Sequence, residues 1–167
     1  MQATRRITTG IDANGSKILT DEIVDNLHPY AFFPSFQIQN LFYTEDFPQS
    51  IKTRHIDTAY NRNLPKGALR FVKIRMPTLA EKIADFQKTG QAIPEDWTKF
   101  NLRSTGSADY IYILSGEVTC VMGEQQLHLK AGDFLAQIGA EHAWINDHSE
   151  PCEMLCVMIG RDDSAIE

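Results

Sequence analysis

The sequence predicts an all-β domain, a barrel or a sandwich, with a hairpin at its N-terminus and one short helix. Short apolar or alternating segments recur between turns from residue 101 to residue 160, at the spacing typical of barrels and sandwiches. Two further strand-like segments, residues 7–11 and 17–19, flank Asn14 and Gly15, and an Asn-Gly pair favours a tight hairpin turn.

Length and composition fit one folding unit. The chain has 167 residues, of which 43% are hydrophobic, and domains cluster near ~100–150 residues. We therefore expect a single domain over residues 1–167. Its N-terminal extension, a hairpin and a strand, should occupy residues 1–50, and the core of the fold residues 101–160.

Charge and hydropathy argue against two classes of partner. The formal net charge is −6, the pI is about 5.3, and the basic residues are scattered, so nucleic acid is not expected to bind. No window approaches the ~18 apolar residues of a membrane span, and no apolar stretch follows Arg5 and Arg6 as in an export signal. We expect a cytoplasmic protein that does not bind membranes.

The three cysteines agree with a reducing compartment, because their number is odd and they form no Cys-x-x-Cys pair. Cys152 and Cys156 fall on one predicted strand, where a rise of ~3.3 Å per residue separates their Cα atoms by ~13 Å, too far for a disulfide. We expect buried free thiols.

The segment before residue 101 contains two more strands, one helix and an aromatic stretch. Residues 36–43 and 68–75 read as strands. Thr78 is placed as a helix N-cap with Glu81 at the capping-box position, and Gly90 is a stop signal. The helix over 78–89 could be a lid or an outer brace. Residues 29–34, which begin and end with proline, predict an aromatic loop over a barrel mouth or a partner surface.

The last third of the chain carries six predicted strands. They cover residues 110–114, 118–122, 126–129, 134–138, 142–146 and 152–159. The last segment is apolar at both parities, as expected of a strand that is buried on both faces.

One of these segments carries a recognisable motif. Residues 132–146 contain Gly132, Gly139, His142 and Asn146, and they resemble the second motif of the cupin superfamily, G-x5-P-x-G-x2-H-x3-N. Gln137 replaces the proline, and the loop is one residue short. The resemblance implies a double-stranded β-helix, the jelly-roll barrel of the cupins.

The first cupin motif, G-x5-H-x-H-x3,4-E-x6-G, is present only in part. Gly116 stands at its end and Asp109 at the position of its glutamate, but Arg103 and Thr105 occupy the positions of its two histidines. Of the four positions that hold metal in the family, only His142 keeps its residue type. A guanidinium has no lone pair to donate, so we expect no cofactor. A weakly held or adventitious divalent ion would have His142 and Asp109 as its ligands.

The altered residues suggest another chemistry. A lumen with Arg103, Thr105, Asp109 and His142 would offer a cation, a hydroxyl, a carboxylate and an imidazole. We expect Arg103 and Thr105 to bind a small anionic ligand, and His142, oriented or charged by Asp109, to act as general acid or base.

Two further expectations concern the same residues. Trp144 shares the parity of His142 and should form apolar wall beside it. The alternative is a vestigial site, in which an ion pair between Arg103 and Asp109 fills the space of the lost metal. The histidines outside the motifs are expected to be surface or packing residues; they are His28, His55, His128 and His148.

Three function classes remain open, because cupins host unrelated activities. The first is a metal-independent enzyme, an isomerase, dehydratase or decarboxylase, acting on a small carboxylated or aromatic metabolite. The second is a non-catalytic module that binds or senses a small molecule. The third is a metal-dependent dioxygenase or hydrolase. In each case we expect a small-molecule ligand and a homodimer, since related cupins pair through sheet edges and the N-terminal hairpin could add strands to a neighbour.

Overall fold

The computed structural model describes residues 1–12, 15–30, 33–45, 47–50 and 53–162. Most of these residues lie in strands, which confirms the all-β prediction. The strands are β1 (Thr4–Asp12), β2 (Gly15–Val24), β3 (Leu27–Tyr30), β4 (Phe33–Thr44), β5 (Leu69–Met76), β6 (Ser107–Ser115), β7 (Glu117–Met122), β8 (Gln125–Lys130), β9 (Phe134–Ile138), β10 (Ala143–Ile145) and β11 (Cys152–Gly160). The helices are α1 (Leu79–Thr89) and α2 (Trp97–Asn101).

Two sheets form the barrel. The larger has the order β3-β4-β5-β11-β6-β9, and the smaller has the order β10-β7-β8. All of their described pairings are antiparallel. The buried core draws residues from both sheets, among them Ile38, Val72 and Met154 from the larger and Val118 and Trp144 from the smaller. The two sheets therefore face each other across one core.

The predicted N-terminal hairpin is present as a separate two-stranded sheet. Strand β1 pairs with β2 in antiparallel register from Thr4 opposite Val24 to Asp12 opposite Gly15. Residues 13 and 14, at the predicted turn, lie outside the described residues. Side-chain hydrogen bonds fasten the start of the hairpin to β4: Thr4 Oγ1 donates to Gln39 Oε1 at 2.6 Å, and Arg6 Nη1 donates to the carbonyl of Leu41 at 2.9 Å.

Four isoleucines are exposed on one face of this hairpin. They are Ile7, Ile11, Ile18 and Ile23, with exposed fractions between 47% and 63%. Ile7 and Ile11 have the same parity on β1, and their face is continued by Ile18 and Ile23, which stand opposite Thr9 and Arg5 of that parity. The outer face of the hairpin thus carries four exposed isoleucines beside the ion pair of Arg5 and Asp21.

The predicted helix is confirmed with its caps. Thr78 accepts a hydrogen bond from the Glu81 amide, the Glu81 side chain accepts one from the Thr78 amide, and Gly90 ends the helix with φ of +70°. Asp85 fastens α1 to β4 by accepting a 2.8 Å hydrogen bond from the amide of Ser35. The five-residue helix α2 was not predicted.

Helix α2 completes an aromatic cluster with α1 and the start of β4. Phe33, Phe86, Trp97 and Phe100 have ring centroids 4.9 to 6.4 Å apart, mostly in tilted or edge-to-face arrangements. The cluster holds both helices against one end of the barrel.

The prediction of a loop over residues 29–34 is wrong at both of its ends. Residues 29 and 30 belong to β3, and residues 33 and 34 begin β4; residues 31 and 32 lie outside the described residues. The prolines misled the prediction because proline is tolerated in edge strands and at strand starts. β3 is the edge of its sheet, and Pro34 is the second residue of β4.

The cysteines behave as expected. Cys120, Cys152 and Cys156 are free and buried. Burial raises the pKa of the Cys120 thiol to about 11 and that of Cys152 to about 12, and it raises the pKa of Cys156 well above the usual value. Among the described residues, neither helix has the length and apolar character needed to cross a bilayer.

Candidate functional site

A cavity of about 90 Å³ lies between the two sheets, and we call it the inner cavity. All five residues singled out from the sequence line it: Arg103, Thr105, Asp109, His142 and Trp144. Its remaining wall comes mostly from apolar residues of β4, β5, β6 and β11, among them Ile38, Ile74, Ile111, Met154 and Met158. Gln137 of β9 and, from the segment before β5, Tyr60 and Arg62 also line it. The structure thus brings the altered metal-motif residues together in one cavity.

Arg103 and His142 are joined through their main chains. The amide of Arg103 donates to the carbonyl of His142 at 2.9 Å, and the amide of His142 donates to the carbonyl of Arg103 at 2.8 Å. This two-bond bridge connects the segment after α2 to the segment before β10. A further hydrogen bond, from Arg103 Nε to the carbonyl of Asn101 at 2.9 Å, orients the guanidinium.

His142 has a defined tautomer. Its Nδ1 lies 2.8 Å from the carbonyl oxygen of Ala140, and a carbonyl can only accept, so Nδ1 carries a proton. The neutral ring therefore keeps its lone pair on Nε2, on a side chain that lines the inner cavity. The residue is 3% exposed. Burial is the largest cause that lowers the pKa of His142 below 6.5, and the charge of Arg103 adds to it, against smaller opposing effects of Ala140 and Asp109.

Asp109 is held by hydroxyl donors. Ser107 Oγ donates to Asp109 Oδ1 at 2.6 Å, and Thr105 Oγ1 lies 3.4 Å from Oδ2. Burial raises the pKa of Asp109 above its usual value, partly offset by these hydroxyls and by the charges of His142 and Arg161. The expectation that Asp109 orients His142 has to be corrected. The backbone carbonyl of Ala140 orients the ring, and Asp109 acts on it through its charge.

Gln137 is a residue whose importance the sequence did not reveal. It stands where the family motif has proline, lines the inner cavity and is buried. Its Nε2 lies 3.8 Å from Cys120 Sγ, and its Oε1 has no hydrogen-bond partner among the residues that the structure describes. Because an unpaired buried acceptor is costly, a ligand that donates a hydrogen bond to Oε1 would be favoured here.

A second, outer cavity of about 40 Å³ adjoins the first. The two share the side chains of Phe36, Met76, Arg103 and Trp144. The outer cavity is otherwise lined by Phe33, Lys82 and Asn101. Helix α1 therefore forms one wall of the outer cavity. The sequence left open whether this helix is a lid or an outer brace, and the structure places it beside the cavity.

Lys82 places a second cation in this region. Its side chain is 4% exposed, and its ammonium lies 5.9 Å from the ring of Phe33 without a hydrogen bond or ion pair to any residue in the described part of the chain. Burial lowers the pKa of Lys82 to about 8, with a further contribution from the charge of Arg103. The signal in the sequence is spacing, because Lys82 lies four residues before Phe86 and so shares the buried face of α1.

The inner cavity does not fit the metal that cupins hold with three imidazoles and a carboxylate. It supplies one imidazole nitrogen, on His142, and one carboxylate, on Asp109, whose two oxygens both face hydroxyl donors. Arg103 offers donors only and carries a positive charge. No group of three metal ligands was found there among the described residues; the group that was found lies elsewhere, on β7, β8 and the segment after β10.

Comparison with known proteins agrees with this fold. The family model of the cupin domain matches residues 95–158, a stretch that runs from just before α2 into β11 and contains both motif segments. No curated protein matches the chain.

Several solved structures are similar in overall shape. The cupin domain of Schizosaccharomyces pombe Cnp3 is 10% identical and aligns over 94% of this chain and 88% of that domain, with a TM-score of 0.49. A cupin 2 conserved barrel domain protein from Salinispora arenicola is 13% identical over 83% of each chain, with a TM-score of 0.44.

A third similar structure is an enzyme. The DMSP lyase DddQ from Ruegeria pomeroyi is 20% identical over 58% of this chain and 41% of its own, with a TM-score of 0.39. At such identities and scores, none of these proteins carries its function over to this chain. The family match, the second motif and the two-sheet barrel together lead to one assignment: residues 95–158 of this chain form a cupin domain.

Proposed function

We propose that this cupin is a metal-independent enzyme that binds a small carboxylate in its barrel and moves a proton on it, as an isomerase, dehydratase or decarboxylase does. One observation carries the proposal. A buried imidazole with a fixed tautomer lines a cavity that Arg103 also lines, next to the outer cavity that Lys82 lines. This is the combination that general base catalysis on an anionic substrate requires.

Two cations support the choice of an anionic substrate. Arg103 lines both cavities and Lys82 lines the outer one, and the charge of Arg103 contributes to the lowered pKa of Lys82. The ammonium of Lys82 is desolvated without an ion-pair partner among the described residues, which is costly. A carboxylate bound between Arg103 and Lys82 would remove this cost, with charge-assisted hydrogen bonds to both.

The proton would then move at His142. With the carboxylate held in the outer cavity, the carbon next to it can enter the inner cavity past Trp144. Nε2 of the neutral ring takes the proton, and the electron pair of the broken bond moves onto the substrate's carbonyl or carboxylate oxygen, where Arg103 stabilises the developing charge. Asp109 stabilises the imidazolium, which returns the proton at a different atom or to a leaving hydroxyl group.

The dimensions of the site favour a small metabolite. The inner cavity of about 90 Å³ and the outer cavity of about 40 Å³ are well below the roughly 300–1,000 Å³ of pockets for drug-sized ligands. Phe33, Phe36 and Trp144 supply apolar wall beside the cations. A short carboxylate with a flat or apolar body fits these features, and Gln137 Oε1 can accept a hydrogen bond from its hydroxyl group.

The free, buried thiols support a cytoplasmic location for this activity, because disulfides form mainly in exported proteins.

Proton exchange from solvent tests the proposal directly. Short carboxylates, each with its neutral amide analogue, are incubated with full-length protein in D₂O, and deuterium incorporation is followed by NMR. We expect exchange for at least one carboxylate, its loss in His142→Gln, and binding in that variant within a few-fold of the unsubstituted protein. The matched variant His55→Gln, at a histidine that lines neither cavity, should exchange normally.

The remaining outcomes are equally informative. Binding of a carboxylate without deuterium exchange would reject the enzymatic function and favour a binding or sensing module that uses the same cavity. Exchange that survives in His142→Gln would reject the role of this imidazole. Equal affinity for carboxylates and for their amides would reject the cation pair as the anchor.

A further inference from the structure

The outer surface of the small sheet carries a second group of chemically active side chains. We infer that Glu117, His128 and His148 form a binding site for Zn²⁺ or a similar first-row divalent ion, outside the barrel and separate from the proposed active site. One ligand atom from each residue lies within 4.8 Å of the other two. Two imidazoles and a carboxylate are ligands that such ions prefer.

The strand register explains why these residues meet. Glu117 and Thr119 point to the same face of β7, and His128 of β8 stands opposite Thr119. Because Val118 and Cys120 are fully buried, that face is the outward one, and Glu117 and His128 are diagonal neighbours on it. On the other side of β7, the end of β10 pairs with Thr119 and leads into the segment that carries His148.

The distances are close to those of a metal site. His128 Nε2 lies 2.9 Å from Glu117 Oε2, and His148 Nδ1 lies 3.7 Å from the same oxygen. The two imidazole rings have centroids 5.0 Å apart. Ligand atoms around a tetrahedral Zn²⁺, each about 2.0–2.1 Å from the ion, are about 3.3 Å from one another. Small side-chain rotations would therefore bring the three onto one ion.

The position of His148 is supported from two sides. Asn146, which is buried, accepts a 3.1 Å hydrogen bond from the His148 amide through Oδ1. The other ring nitrogen, His148 Nε2, is buried, forms no hydrogen bond within the described part of the chain and lies 3.7 Å from Asp147 Oδ1. A carboxylate behind the second nitrogen of a ligating histidine is a common feature of metal sites, because it orients the ring and makes it more basic.

A metal would also use the convergence of the two rings. Both imidazoles approach one carboxylate oxygen of Glu117, and their ring centroids are 5.0 Å apart. An ion between them satisfies all three groups at once. It would cross-link β7, β8 and the segment between β10 and β11, so its expected role is structural, with a water at the open fourth position.

Metal titration of tag-free, chelator-treated, full-length protein tests this inference. We expect one Zn²⁺ per chain by calorimetry, with micromolar affinity or better, a higher Tm on addition of Zn²⁺, and visible absorption bands of tetrahedral Co²⁺. Glu117→Gln, His128→Gln and His148→Gln should each weaken Zn²⁺ binding by about 100-fold, and Asp147→Asn by about tenfold.

Two control variants separate this site from others. Glu124→Gln changes an exposed carboxylate at the turn between β7 and β8 and should leave Zn²⁺ affinity unchanged. His142→Gln should also leave it unchanged, and a loss there would place the metal inside the barrel and overturn the inference. The Tm of each metal-free variant shows that it folds. A Zn²⁺ affinity weaker than millimolar would overturn the inference. So would equal Zn²⁺ affinities in the three ligand variants and the unsubstituted protein, and the three residues would then form only an ion pair.

Discussion

Arg103 and His142 exchange two backbone hydrogen bonds, of 2.9 and 2.8 Å, so the main chain fixes the separation of the cation and the imidazole in the proposed active site. The side chains take no part in these bonds. A substitution at either residue therefore removes one chemical group without releasing the other, and the kinetic effects of the two can be read separately.

The pH dependence of the reaction follows from this cavity. His142 must be neutral to accept a proton, and its pKa lies below 6.5, so kcat/KM should rise with pH to a plateau reached near neutrality. Lys82 must be protonated to hold a carboxylate, and its pKa is about 8, so kcat/KM should fall above that pH. Initial rates from pH 5 to pH 10 on the substrate found by deuterium exchange measure both limbs.

Substitution at Lys82 assigns the alkaline limb. Lys82→Met should raise KM for the carboxylate and abolish the fall above pH 8, while the acidic limb stays in place. An alkaline limb that persists unchanged in this variant would show that another group titrates there.

The Lys82 charge that favours substrate binding should lower the stability of the folded protein. Burial of the Lys82 ammonium lowers its pKa from 10.5 to about 8, a difference of 2.5 pH units, which corresponds to about 3 kcal/mol. Below pH 8 both the folded and the unfolded chain carry the proton, so the folded protein bears the whole penalty. Between pH 8 and pH 10.5 only the unfolded chain keeps it, and the penalty shrinks.

Lys82→Met should therefore be more stable than the unsubstituted protein by up to about 3 kcal/mol at pH 7, with a difference that closes towards pH 10.5. Urea unfolding at pH 7, 8.5 and 10 measures it. Lys88→Met, at an exposed lysine of the same helix, should change the free energy of unfolding by less than about 0.5 kcal/mol at each pH. A pH-independent gain would mean that the effect comes from packing rather than from charge.

Asn146 is expected to be the most sensitive polar residue of the second motif. It is 1% exposed, donates to the carbonyls of Met76 at 3.3 Å and Glu150 at 3.0 Å, and accepts from the His148 amide at 3.1 Å. Asn146→Ala leaves these groups without their partner, which should cost about 3 kcal/mol. Chemical denaturation measures the loss, and Asn26→Ala, at an exposed asparagine, should cost less than about 0.5 kcal/mol. If Asn146→Ala costs as little as Asn26→Ala, water replaces the hydrogen bonds of the Asn146 side chain without loss of stability.

The hairpin predicts self-association. We propose that a second copy of the chain covers the face that exposes Ile7, Ile11, Ile18 and Ile23, because an apolar face of this kind is costly in water and a hairpin edge can extend a neighbour's sheet. Light scattering at micromolar concentration should give a dimer. The double variant Ile7→Lys, Ile18→Lys should be monomeric, and Ile93→Lys, at an isoleucine exposed elsewhere, should remain dimeric. A monomer in the unsubstituted protein overturns the proposal.

Local signals in the sequence predicted the elements that depend on nearby residues. The capping box of Thr78 and Glu81, the stop at Gly90 and the N-terminal hairpin all rest on interactions within a few residues or one turn. The second motif was recognisable because its glycines and His142 have fixed spacing. Proline at 29 and 34 misled the prediction because its meaning depends on whether a strand lies at a sheet edge, which only the complete topology decides.

The parts of the site that escaped prediction are assembled from distant segments. Lys82 reaches the barrel only because α1 packs against β4. Gln137 matters because, in the described ranges of the chain, its side-chain oxygen has no hydrogen-bond partner. His148 and His128 were read as surface or packing residues, since nothing in their spacing reveals that both approach Glu117.

Alkylation of the three buried thiols should report unfolding of the barrel. With pKa values of about 11 for Cys120 and about 12 for Cys152, fewer than about one in a hundred of these two thiols is ionised at pH 8. Burial also raises the pKa of Cys156, and all three residues are at most 3% exposed. They lie on β7 and β11, on opposite sides of one core. Modified molecules should therefore carry three labels and unmodified ones none, so mass spectra of partly alkylated protein count complete unfolding events one molecule at a time.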